Sequence, residues 1–88
     1  MSLSPYAIPE GVAHATRLLE LSERLAESGR RGEALDAARE ACQVLRDLAR
    51  LDSGTYLPDL AEGLSVMAAR LREARRMREG VTAAQETV

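Results

Sequence analysis

With 88 residues the chain has room for one domain, and so short a chain buries a smaller fraction of its surface than a larger one, so marginal stability is expected. Its only aromatics are Tyr6 and Tyr56, which leaves Leu, Ala, Val and Met to build the core, and such side chains suit closely packed helices. Twelve arginines, no lysine and fourteen acidic residues give a formal net charge of -2, with both signs mixed along the chain, which argues against a general polyanion binder.

The single cysteine, Cys42, cannot form an intrachain disulfide, so nothing implies an oxidising compartment. No apolar run approaches the roughly 20 residues of a membrane span, the N-terminus lacks a basic-then-apolar leader, and a cytoplasmic location is expected. Ten β-branched residues are scattered, and no segment alternates apolar with polar, so an all-α fold is expected. Met1-Ser2-Leu3 has the look of an expression scar, and residues 1–8 are set aside as a disordered segment or scar.

Pro9 and Glu10 suit a first helical turn, since proline fixes φ near its helical value and an acidic side chain favours the positive end of the dipole. Helix one is placed at 9–28, with Leu18, Leu21, Ser22 and Leu25 on one stripe and Val12, Ala15, Leu19 and Ala26 on a second, so it needs two neighbours. Gly29 falls where helices most often end in a left-handed residue. Helix two is placed at 31–51, where Ala34, Ala38, Ala41, Leu45 and Leu48 follow a four-three rhythm beside Leu35, Cys42 and Ala49. Asp52-Ser53-Gly54-Thr55 reads as turn chemistry, which makes 52–56 a linker. Pro58 and Asp59 then open helix three at 57–74, with Leu57, Leu60, Ala61, Leu64, Met67, Ala68 and Leu71 at helical spacing. Beyond Ala74 the apolar phase changes to Met77, Val81, Ala84 and Val88, and a fourth helix is placed at 77–87.

An internal repeat ties these elements together. Shifting the sequence by 46 lays Leu18–Cys42 over Leu64–Val88 with nine identities in 25 positions: Leu18/Leu64, Arg24/Arg70, Leu25/Leu71, Glu27/Glu73, Arg30/Arg76, Glu33/Glu79, Ala37/Ala83, Ala38/Ala84 and Glu40/Glu86. Small residues recur where two helices of a hairpin would cross closely, Ser22 and Ala34 in the first copy, Ala68 and Gly80 in the second. The unit therefore reads as a helical hairpin used twice, over 9–51 and 57–88.

The pattern Leu18, Leu21, Ser22, Leu25, Gly29, Ala34, Ala41, matched by Leu64, Met67, Ala68, Leu71, Arg75, Gly80, Thr87, resembles the tetratricopeptide repeat (TPR) family, in the long-period form of kinesin light chains and actinobacterial arrays. The resemblance covers residues 18–88. It implies two stacked antiparallel hairpins, a TPR-like α-solenoid fragment, and a non-catalytic protein–protein interaction scaffold that is part of a larger regulatory protein or array. It further implies a concave surface for a protein or peptide partner, lined by Leu19, Glu23, Ala26 and Glu27 with Ser65, Ala69, Arg72 and Glu73. The family's aromatics and closing proline are missing, and Arg75 stands in place of the turn glycine, which leaves open whether helices three and four are separate or one.

Other motifs are weighed on the residues themselves. Gly29-Arg30-Arg31-Gly32 matches the two-glycine loop that clamps nucleotides in KH domains, but that module needs a sheet beside it, and the Walker ending is also missing; a hairpin turn is expected. Arg70, Arg72, Arg75, Arg76 and Arg78 could bind nucleic acid or another anion, yet Glu73 and Glu79 interleave them and no aromatic platform accompanies them, so a solvated helix face is expected. His14 is the only histidine, Cys42 lies on an apolar face, and Glu23 and Glu27 lack an apolar setting; no catalytic, metal or cofactor site is expected. Repeat arrays usually need three or more units with polar caps, so the apolar Val81, Ala84 and Val88 imply further repeats or self-association. The rival to the scaffold is a small homodimeric α-helical bundle with a purely structural role.

Overall fold

The computed structural model describes residues 8–86, which are all-helical, with no strand among the described residues. Expectations placed on residues 1–7, on Thr87 and Val88, and on the side chains at 8–9, 80–84 and 86 lie outside the described residues. Three helices follow in order: α1 (Ile8–Glu27), α2 (Arg31–Leu51) and α3 (Ser53–Glu86).

The α1–α2 turn is built by Gly29, whose φ of 80° lies in the left-handed region that side chains other than glycine enter only at a cost. The Arg30 N–H donates to the Leu25 carbonyl at 2.9 Å and the Gly29 N–H to the Ala26 carbonyl at 3.1 Å, the paired bonds of a Schellman ending. The Ser28 hydroxyl adds a 3.0 Å bond to the Arg24 carbonyl. Arg30 supplies no side-chain cap to α2, whose first turn closes through the Ala34 N–H and the Arg30 carbonyl at 2.9 Å.

At the second junction one residue serves both helices. The Asp52 N–H donates to the Leu48 carbonyl at 3.0 Å, ending α2, while its carboxylate accepts from the Thr55 hydroxyl at 2.6 Å and the Thr55 N–H at 3.3 Å, opening α3. This is N-cap chemistry, an oxygen satisfying an N–H that the first turn leaves unbonded. The expected linker at 52–56 therefore shrinks to Asp52, and Ser53, Gly54, Thr55 and Tyr56 are already helical. Pro58 falls inside α3, where its missing N–H deprives the Gly54 carbonyl of one helical bond.

Helix α2 is the centre of the molecule. It buries Ala34, Ala37, Ala38, Ala41, Cys42, Val44, Leu45 and Leu48, and the small residues let α1 and α3 approach closely from two sides. Ala15 from α1 and Tyr56 from α3 join Val44, Leu45 and Leu48 in the core cluster, with Val12, Ala49 and Leu60 packed against it. A fully buried leucine of this kind contributes about 1.5–3 kcal/mol. Gly63 sets the α2–α3 distance: a Cβ there would stand 3.1 Å from Leu45 Cδ1 and 3.4 Å from Cys42 Sγ.

The larger correction concerns the second half. Helices were expected at 57–74 and 77–87, but α3 runs unbroken for 34 residues, and residues 57–86 do not fold back into a second hairpin. Arg75 cannot take a left-handed turn as cheaply as Gly29 does. One side-chain pair also spans the place where the break was expected, Arg75 with Glu79 at 3.0 Å. A helix of this length extends about 51 Å. Arg31, the first residue of α2, donates to Met77 Sδ at 3.6 Å, so the segment after Met77 runs past the end of the hairpin. The radius of gyration is accordingly 15.8 Å, with extents of 61 × 20 × 17 Å, against about 12 Å for a compact chain of this length.

Candidate functional site

Helices α1 and α3 both pack on α2 and scarcely touch each other. Between them lies an open groove of about 440 Å³. Its apolar surface comes from Val12, Ala15 and Leu19 of α1, Leu45 of α2 and Val66 of α3. Its polar residues are Thr16, Glu20 and Glu23 on one wall and Asp59, Glu62 and Arg70 on the other, four carboxylates against one guanidinium.

Of the eight residues expected to line a partner surface, the groove takes Leu19 and Glu23. Glu27, Ser65 and Arg72 are exposed, and Ala26 and Ala69 half-buried, outside the groove lining. Glu73 lines a different, smaller hollow of about 360 Å³ with Arg31, Arg76 and Met77. That none of Ser65, Ala69, Arg72 and Glu73 lines this groove has a geometric cause. Copying the α1 set forward by 46 residues assumes that both helices show the same flank, whereas two helices walling a groove face each other. The flank of α3 turned towards α1 is Asp59, Glu62, Val66 and Arg70.

At one end of the groove the three helices are joined through a single hydroxyl. Ser22 is fully buried; its Oγ donates to the Ala34 carbonyl at 2.7 Å and accepts from Arg70 Nε at 3.2 Å. The Arg70 guanidinium also grips Glu73, from Nη1 to Oε1 at 2.8 Å and to Oε2 at 3.1 Å, and only 14% of the Arg70 side chain is exposed. Charge-assisted bonds of this kind are about twice as strong as neutral ones. Arg70 thus leaves the solvated cluster in which it was expected. The signal was present in the spacing, because Gly63, Met67, Arg70 and Ala74 fall on one stripe of α3. Ser22, expected only as a small packing residue, also carries a bond that its size alone did not announce.

The repeat-packing residues divide by copy. In the first, Leu18, Ser22, Ala34 and Ala41 are buried, Leu25 is half-buried and Leu21 is 44% exposed. In the second, Leu64 and Leu71 are exposed and Met67 and Ala68 half-buried, while the Gly80 side-chain position lies outside the described residues.

Cys42 is wholly buried on α2, and burial pushes its thiol above the ordinary value, with the Arg46 charge pulling weakly the other way. It behaves as a small apolar core residue. No group of three or more His, Cys, Asp or Glu among the described residues could hold a metal ion, and none of their helices is long and apolar enough to cross a membrane. Comparison with protein-family models, curated proteins and solved structures finds no match.

Proposed function

We propose that the chain is a non-catalytic protein-interaction module of TPR type, in which α1 and α2 form one hairpin and the first half of α3 stands where the opening helix of the next would. The reading rests on one observation: α1 and α3 share α2 as a floor yet leave a groove between them, apolar at Val12, Ala15, Leu19, Leu45 and Val66 and walled by Glu20, Glu23, Asp59 and Glu62. Such a groove suits an amphipathic segment that lays apolar side chains on Val12, Leu19, Leu45 and Val66 and offers Arg or Lys to the walls. Charge at the walls steers the encounter and selects the partner, while the apolar strip supplies contact area.

A fluorescent amphipathic peptide carrying Arg and Lys on its polar face provides the test, read by anisotropy at two salt concentrations. Binding should weaken as salt rises, and charge reversal at Glu23→Lys with Glu62→Lys should weaken it at least about tenfold. The reversal Arg72→Glu, outside the groove, should not. Equal binding by the groove variants, or preference for an acidic peptide, would defeat the reading.

A further inference from the structure

Among the described residues, the hydrogen bond furthest along α3 that reaches back to α2 ends on sulfur: Arg31 Nη1 donates to Met77 Sδ at 3.6 Å. A guanidinium ordinarily takes a carboxylate, and Glu73 lines the same hollow as Arg31, Arg76 and Met77. Glu73 is already engaged, however, with both of its oxygens accepting from Arg70 Nη1, at 2.8 and 3.1 Å. Arg31 makes no ion pair among the described residues and is left with a thioether, a weak acceptor.

We propose that Met77 is a site of sulfur oxidation whose sulfoxide is held by Arg31, so that oxidation fastens the second half of α3 to the start of α2. The sulfur is accessible. Met77 is 50% exposed and borders an open hollow of about 360 Å³, so a small oxidant such as hydrogen peroxide reaches it. A sulfur lone pair attacks one peroxide oxygen, and an S–O bond forms as the O–O bond breaks. The sulfur gives up two electrons, and the departing oxygen takes the proton of the transferred one and leaves as water. The oxygen so placed is a far better acceptor than the thioether was. It arises beside two guanidiniums, Arg31 and Arg76, charged donors whose bonds are about twice as strong as neutral ones.

Met67 supplies the contrast. Sulfoxide formation ordinarily loosens a protein because it puts a polar group into packed apolar surroundings. Met67 is half-buried on the stripe of α3 that carries Gly63 against α2, and its oxidation should weaken that packing. Met77 has little packing to lose and a waiting donor to gain. The two methionines of α3 therefore respond to an oxidant in opposite directions. The response of Met77 does not depend on what occupies the groove, and either assignment can fail alone.

Limited peroxide treatment of the full chain in a Met67→Leu background tests the inference, with the sulfoxide located by peptide mass and the backbone read by amide exchange. Exchange over residues 71–79 should slow at least about threefold on oxidation, since a hydrogen bond to a charged group outweighs a neutral one. Arg31→Leu should abolish the slowing, and Met77→Leu should leave peroxide without effect there. Exchange that is unchanged or faster after oxidation overturns the inference, and so does slowing that survives Arg31→Leu. Should Arg31→Leu lose helix, Met77→Gln decides, because its amide oxygen offers an acceptor at similar reach without oxidant: exchange no slower than in Met77→Leu overturns the inference equally.

Discussion

Residues 18–42 and 64–86 share a residue pattern and adopt different structures. In the first, Leu18 and Ser22 of α1 pack on Ala34 and its neighbours in α2, and the turn between them places Gly29 at a φ of 80°. In the second, the matching positions Leu64 and Ala68 lie on the same continuous helix as Gly80, twelve residues beyond Ala68, so the small residues that would cross cannot meet within one chain. The apolar pattern is therefore permissive and the turn decides. A glycine that can turn left-handed allows a hairpin to close, and an arginine at the matching place, paired to Glu79, lets the helix continue.

The widest gap between the two regions should appear on truncating matched leucines. Leu18→Ala, at a buried position, should cost about 2–5 kcal/mol, while Leu64→Ala, measured dilute enough to keep the chain monomeric, should stay within about 0.5 kcal/mol. Urea unfolding gives both values, and equal losses would mean that residues 64–86 pack as the first copy does. Next in size are the two glycines of the first turn. Gly29→Ala should destabilise by about 1–2 kcal/mol, because only its φ is at fault: nothing lies within 4 Å of a Cβ there. Gly32→Ala, inside α2 and equally uncrowded, should instead stabilise by about 0.5–1 kcal/mol. Thermal melts of the pair decide whether Gly29 is a turn residue by conformation or by space.

A smaller loss, about 1 kcal/mol, is expected from Ser22→Ala, which removes the donor to Ala34 and one acceptor of Arg70, whereas Ala68→Ser in the second copy should gain nothing. The smallest effect is a pH slope from Cys42. Its thiol is raised in the folded chain, so stability is unaffected while both states keep the proton and falls as pH climbs past about 8.5, where the unfolded thiol ionises first. Cys42→Ala should remove that increment of alkaline slope, checked by urea midpoints between neutral and alkaline pH.

The all-α class, the limits of α1 and α2, and the role of Gly29 were legible because each rests on local chemistry: apolar spacing, a tolerant turn residue and proline's fixed φ. The start of α3 was not, since Asp52-Ser53-Gly54-Thr55 has the composition of a loop and only the Asp52–Thr55 bonds turn it into a helix cap. The continuity of α3 was left open by the sequence, which showed that Arg75 replaces a glycine without showing which conformation then wins. Leu19 and Glu23 of the groove were legible as one flank of α1, but Asp59, Glu62, Val66 and Arg70 depend on which flank α3 turns towards α1. The joint of Ser22, Ala34 and Arg70 links residues 48 apart and has no local signature beyond the stripe on which Arg70 lies.

Everything distinctive here rests on α3 running straight through Arg75. Spin labels at the exposed positions Ser65 and Gln85, in a Cys42→Ala background diluted with unlabelled chain, measure this by the distance between them. A continuous helix separates their backbones by about 30 Å, twenty residues at 1.5 Å each. A distribution near that value is the result this account predicts. A distribution near about 10 Å, the spacing of two packed helices, would show a second hairpin and contradict it.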